Sequence, residues 1–169
     1  MLALLAGGIA VRLWRYALHW PFWGDESFLN VSVLHRGFAE LLAPLEYSQV
    51  APPGFLWLQK LALLILGGGE YALRAVPLAA GVASLLLLAR TAGRCLSPWG
   101  ATLATGWMAA SYYLVRHACE SKPYSTDLLC ATLLLAVGIA CLHRPASVKH
   151  AAVAALPAPL AMWLSLAAM

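Results

Sequence analysis

Residues 54–67 read GFLWLQKLALLILG, and the way this run sits decides the fold of the whole chain. Its 14 residues fall short of the roughly 20 apolar residues that a helix needs to cross a bilayer core. Gln59 and Lys60 also interrupt it. A helix of that length and polarity suits the membrane surface or a re-entrant position better than a span. Pro52 and Pro53 stiffen the approach to it, and the glycines at 67–69 end it, since glycine tolerates the backbone angles of a helix stop.

Outward from this run the chain is built for lipid. It is 62% hydrophobic and 11% charged, against about 25% charged in soluble domains, and its mean hydropathy is +0.77. Five further stretches predict spans, at 1–20, 73–92, 95–116, 123–142 and 150–169. The expected fold is all-α: a polytopic membrane helical bundle of about five transmembrane helices, in a single membrane domain over 1–169. Juxtamembrane helices, at 27–43 and 54–66, are expected in the first loop at 21–72. The opening run MLALLAGGIAV has no basic segment before it and no small-residue cleavage site after it, so it reads as a retained helix and not a signal peptide. Four cysteines without CxxC spacing read as small apolar side chains and not as a metal or disulfide site.

Orientation follows from the same run. If 54–67 does not cross, the links at 90–98 and 143–150 share one face, with Arg90, Arg94, Arg144 and Lys149 and no acid. The positive-inside rule makes that face cytoplasmic. The seven acids, Asp25, Glu26, Glu40, Glu46, Glu70, Glu120 and Asp127, then lie at or near the opposite face. The net charge of +4 comes from scattered bases and speaks to membrane orientation, not to nucleic acid. The chain is expected to be a multi-pass protein of the cell (inner) membrane with the first loop external.

Three polar constellations fall on that external face. The first is WGDESFLN, 23–30. Two adjacent carboxylates are costly to desolvate, but at a membrane edge they stay wet while facing a buried substrate. Asp25 or Glu26 there can take a proton from an attacking hydroxyl. The plainer alternative is an acidic first turn of the following helix, favoured by its dipole. The second is Glu120-Ser-Lys-Pro-Tyr124, after Tyr112, Tyr113, Arg116 and His117. Arg116 or Lys122 suits a phosphate and Glu120 a sugar, whereas the plainer alternative is an interfacial belt of aromatics and bases. The third is SQVAPPG, where Gln49 sits ahead of the double proline near the membrane plane. Asn30-Val31-Ser32 also matches a glycosylation sequon, a three-residue pattern of low specificity.

In order along the chain, RLWR (12–15), WGDESFLN (23–30), RGFAELL (36–42), QVAPPGFLWLQKL (49–61), LGGGEYALRAVPLAAG (66–81) and RHACESKPYSTDLL (116–129) resemble the N-terminal half of the GT-C glycosyltransferases. The resemblance is strongest to the glycosyltransferase 39-like branch, which includes protein O-mannosyltransferases and aminoarabinose transferases. It implies a donor sugar on a polyprenyl phosphate, a lipid, glycan or protein acceptor, and inverting chemistry on the non-cytoplasmic face. The catalytic base it implies falls on Asp25, with Glu26 beside it. The second acidic position it implies falls on Glu120 and the position before the double proline on Gln49; with Arg116, Lys122 and Tyr124 these make the expected substrate-binding set. Aminoarabinose transferases carry a metal-binding glutamate where this chain has Gln49; a divalent metal ion is the cofactor at issue. Family members continue through further spans, so the chain reads as the N-terminal part of such a module. The competing reading is a non-catalytic membrane scaffold or part of a transporter. A transporter places ionisable groups near mid-membrane, and the acids here gather at one face instead.

Overall fold

A computed structural model of the protein describes residues 1–142, 155 and 157–165. The described residues are helical, without strands. In chain order they form α1 (Leu2–Ala17), α2 (Gly24–His35), two short 3-10 turns (Glu40–Leu42 and Glu46–Ser48), α3 (Pro53–Leu66), α4 (Glu70–Cys95), α5 (Pro98–Ala110), α6 (Tyr112–His117), α7 (Tyr124–Leu142) and α8 (Pro157–Leu164). Among them α4 and α7, of 26 and 19 residues, are long and apolar enough to cross a membrane. At 1.5 Å per residue α4 is about 39 Å long. The expected span at 150–169 is described only at α8, and the link at 143–150 with Arg144 and Lys149 lies outside the described residues.

The deciding run forms one short apolar helix, Pro53–Leu66. α3 has Pro53 in its first turn, where the missing N–H costs nothing, and it stops at Gly67, whose φ is +89°. Its outer face leaves Leu64, Ile65 and Leu66 exposed, as suits an apolar surrounding. Its inner face joins α2 and the start of α4 in one apolar cluster of Leu29, Val33, Leu41, Phe55, Leu56, Leu63, Ala72 and Leu73. The first loop is therefore a packed layer over the beginning of α4.

Two expected elements differ in extent. The helix expected at 27–43 begins at Gly24 and ends at His35, because Arg36 turns extended (ψ 148°) and Gly37 follows. The stretch expected as one span at 95–116 is divided at Ser111, whose ψ of 117° separates α5 from α6. That break frees carbonyls in the buried interface between α1 and α5, and Arg12 on α1 takes them up. Its side chain is 0% exposed, and its guanidinium donates to the carbonyls of Met108 (3.1 Å), Ala109 (3.3 Å) and Gly8 (2.9 Å). Unsatisfied backbone groups in lipid cost several kcal/mol, so a buried arginine is a direct remedy. Small residues let the helices approach here: a Cβ on Gly8 would stand 2.7 Å from that of Ala109, and one on Gly81 2.6 Å from that of Ala118, a pattern typical of membrane helix packing. The second contact holds the 118–123 loop against α4.

Candidate active site

The site begins with the first turn of α2. Trp23 precedes the helix with extended backbone (ψ 155°). Its N–H donates to Glu26 Oε2 at 3.1 Å, the reach-back half of a capping box. The acid that caps this helix is thus Glu26. Asp25 stands in the same turn with its side chain turned outward, exposed and without a hydrogen bond among the described residues.

Glu26 is 2% exposed and joins three parts of the chain. Arg74 of α4 grips both of its oxygens, from Nη2 at 3.3 and 3.2 Å and from Nε at 3.3 Å. The backbone N–H of Ser121 donates to Oε1 at 2.7 Å. A charge this deep is tolerable only when paired and fully hydrogen-bonded, and Glu26 is both. Arg74 is held in turn by the Trp20 carbonyl and lies 4.5 Å above the Phe22 ring. Ser121 extends the network, its hydroxyl donating to Asn30 Oδ1 at 2.7 Å and accepting from Gln59 Nε2 at 2.9 Å. Asn30 is buried, which closes its sequon to modification in the folded chain. The loop after α6 is thereby tied to α2, α3 and α4 together.

Glu120 sits next along that loop, 7% exposed. Arg116 donates to its Oε1, and His117 Nδ1 lies 2.8 Å from its Oε2. Burial by itself would raise the Glu120 pKa, but the hydrogen bonds from His117 and Arg116, with their charges, outweigh it and hold the carboxyl below its ordinary value. Arg116 also lies 5.4 Å over the Trp23 ring, and Tyr124 packs its ring 4.6 Å from that of His117. Lys122, half-buried, donates from Nζ to Gln49 Oε1 at 3.0 Å. Burial lowers its pKa, opposed by the charges of Asp25, Glu26 and Glu120. All seven residues singled out in the sequence thus gather at one end of the bundle. Asp25 and Glu26 stand on α2 and Gln49 before α3, while Arg116, Glu120, Lys122 and Tyr124 follow α5.

Between these elements lies a cavity of about 160 Å³, lined among others by Arg15, Arg74, Arg116, Trp20, Trp23 and Glu120. Arg74 and Arg116 have carboxylate partners; Arg15 has none among the described residues, and its guanidinium stands 6.0 Å over Trp20. Such a hollow suits an anionic group flanked by apolar matter. The buried Cys119 on its wall has its thiol pushed up to about 11 by burial, so it is protonated and not a nucleophile at neutral pH. A divalent metal does not fit the described residues: Gln49 already accepts from an ammonium, and no three His, Cys, Asp or Glu side chains cluster as metal ligands among them.

Arg74, Arg15 and Ser121 are parts of the site that the sequence reading did not single out. Arg74 had a signal: an ionisable residue four positions after Glu70 in an apolar stretch, where such residues are functional by default. Ser121 contributes mainly a backbone N–H, which no residue type announces.

A comparison with protein families gives a match over residues 50–166, to the family described as dolichyl-phosphate-mannose-protein mannosyltransferase. The matched range covers more than half of the chain and takes in α3, α4 and the Glu120–Tyr124 loop, while WGDESFLN lies ahead of it. No curated protein and no solved structure gave a match. The apolar helices α4 and α7 and the polar end they carry accordingly sit in a membrane glycosyltransferase scaffold of the GT-C type, and this chain belongs to the dolichyl-phosphate-mannose-protein mannosyltransferase family.

Proposed function

We propose that this chain moves a sugar from a polyprenyl-phosphate donor to an acceptor hydroxyl at the non-cytoplasmic face of the cell membrane, with inversion, and that Asp25 is the base. The observation that carries the reading is the contrast within one dipeptide: Glu26, which lines the arginine-lined cavity, has every oxygen occupied, whereas Asp25, next to it in the chain, is exposed and within electrostatic reach of Lys122. A base must be free to accept a proton and be held still. Glu26 supplies the second condition by anchoring the turn that bears Asp25.

In this mechanism the donor phosphate rests among Arg15, Arg74 and Arg116, with the anomeric carbon toward Asp25. The acceptor hydroxyl gives its proton to the Asp25 carboxylate as its oxygen attacks the anomeric carbon. The bond from that carbon to the phosphate oxygen breaks, and the lipid phosphate leaves with the electron pair. The transition state is oxocarbenium-like, as in other glycosyl transfer. Positioned cations stabilise the leaving phosphate most where water is excluded. Glu120 and Tyr124 border the sugar, and the Lys122–Gln49 pair closes the side toward the acceptor.

The test is transfer of label from a polyprenyl-phosphate sugar by the purified full chain in lipid vesicles. Asp25→Asn is expected to reduce transfer by about 10²- to 10⁴-fold while leaving the unfolding midpoint unchanged. Transfer at the unaltered rate would exclude Asp25 as the base. Solute flux through the same vesicles without any transfer would point to a transporter instead.

A further inference from the structure

The far end of α4 carries a second polar groove that the reaction above does not use. On α4 it is formed by Leu87, Arg90, Thr91, Arg94 and Cys95, and on α7 by Ala136, Ile139 and Ala140. These positions recur at three and four residues, so each set forms one stripe of its helix, and the two stripes face each other. Alanine at 136 and 140 leaves the space open. The groove holds about 390 Å³, within the roughly 300–1,000 Å³ of small-molecule sites. Sixteen residues separate Arg74 from Arg90, about 24 Å along the helix, so the groove lies at the opposite end of the bundle from Asp25.

Arg90 and Arg94 could serve only to orient the chain, and solvated bases would then suffice. Thr91 argues otherwise. It is 8% exposed, lines the groove, and its hydroxyl makes no hydrogen bond among the described residues. Other helical threonines here return their hydroxyl to a carbonyl of the preceding turn: Thr102 at 2.8 Å, Thr105 at 2.7 Å and Thr132 at 2.9 Å four residues back, and Thr126 at 2.6 Å three residues back. The Thr91 hydroxyl is left open to the groove it lines, where a ligand can share a hydrogen bond with it. Neither arginine has a carboxylate partner among the described residues, whereas Arg36, Arg74 and Arg116 each have one. Two guanidinium forks and a hydroxyl converging on one hollow make an anion site with phosphate geometry. Leu87, Ala136, Ile139 and Ala140 give it an apolar wall that a free anion would not use.

We infer that this groove binds the phosphate headgroup of an anionic phospholipid in the leaflet opposite the candidate active site. The acyl chains run along the α7 wall, and Arg90, Arg94 and Thr91 hold the headgroup. Basic hollows between transmembrane helices take such headgroups elsewhere.

In a Cys141→Ala background Cys95 gives a local readout, since it lines the groove and is exposed, Cys119 and Cys130 are buried, and the half-buried Cys141 is removed. In the purified full chain in detergent, phosphatidylglycerol is expected to slow maleimide modification of Cys95 and to remain bound in native mass spectra. Phosphatidylcholine should do neither. Arg90→Gln with Arg94→Gln should weaken phosphatidylglycerol binding by roughly 30-fold, Thr91→Val by a few-fold, and the double change to lysine by less than the double change to glutamine. Inorganic phosphate should not compete. Equal retention of both lipids, or unchanged binding in a double-glutamine variant that still unfolds at the wild-type temperature, would overturn the inference. Displacement by inorganic phosphate would overturn the lipid and leave a simple anion. Sugar transfer is assayed separately, so either result leaves the proposed reaction standing or falling by itself.

Discussion

The two ends of α4 carry the same side chain in opposite circumstances. Arg74, near the start, is buried and gripped by Glu26, with Glu70 a further 3.9 Å away. Arg90 and Arg94, near the end, are exposed and have no acid opposite them among the described residues. At the first end the arginine is part of the fold: it spans α2, α4 and the backbone before α2, and the loop at Ser121 hangs on the same carboxylate. At the second end the arginines are exposed and hold no other part of the described chain. Charge type alone does not decide which role an arginine takes in a membrane protein; the presence of a matching acid on a neighbouring helix does.

The comparison breaks most readily at Arg74. Arg74→Ala leaves Glu26 buried without its partner and is expected to cost about 3–5 kcal/mol, read as a fall in unfolding midpoint in detergent and as loss of transfer. Replacing both partners at once, Glu26→Leu with Arg74→Met, should cost less stability than Arg74→Ala, because an unpaired buried charge is worse than none. If the single change proved neutral, the pair would not hold the site together.

Glu120→Gln comes next. Its ionised form accepts from Arg116 and His117, and losing hydrogen bonds to a charged group typically costs about 1.5–3 kcal/mol. The sign with pH follows from its lowered pKa. The ionised carboxylate stabilises the fold above the ordinary value of 4.5, and this stabilisation disappears as pH falls through the lowered native value. Unfolding midpoints of wild type and variant should therefore converge on acidification. A gap that stayed constant down to the acid limit would remove Glu120 as its source.

The smallest effect is expected at the far end. Arg94→Gln should shift stability by no more than about 0.5 kcal/mol, measured in the same detergent without anionic lipid. A cost near that of Arg74→Ala would abolish the contrast between the two ends.

Much of the fold was legible because lipid as solvent leaves few options. The short run at 54–67 reads as a surface helix on length alone, and α3 occupies Pro53–Leu66. The break at Ser111 was not legible, since neither Gly nor Pro marks it, and Arg12 satisfies it from 96 residues away. In the site, the pairing of Lys122 with Gln49 brings together two residues chosen separately. The different states of Asp25 and Glu26 were hidden, because adjacent residues of like chemistry carry no mark of which will turn inward.

By itself the amino-acid sequence determined the class of this protein: apolar helices long enough for a membrane, and links with bases but no acids set apart from the segments that carry the acids. Periodicity, length and charge act locally, so they can be read locally. Only the tertiary structure decided which acid is spent on Arg74 and which arginines remain free. Those outcomes depend on hydrogen-bond partners that come from helices dozens of residues apart, and burial makes each partnership all or nothing.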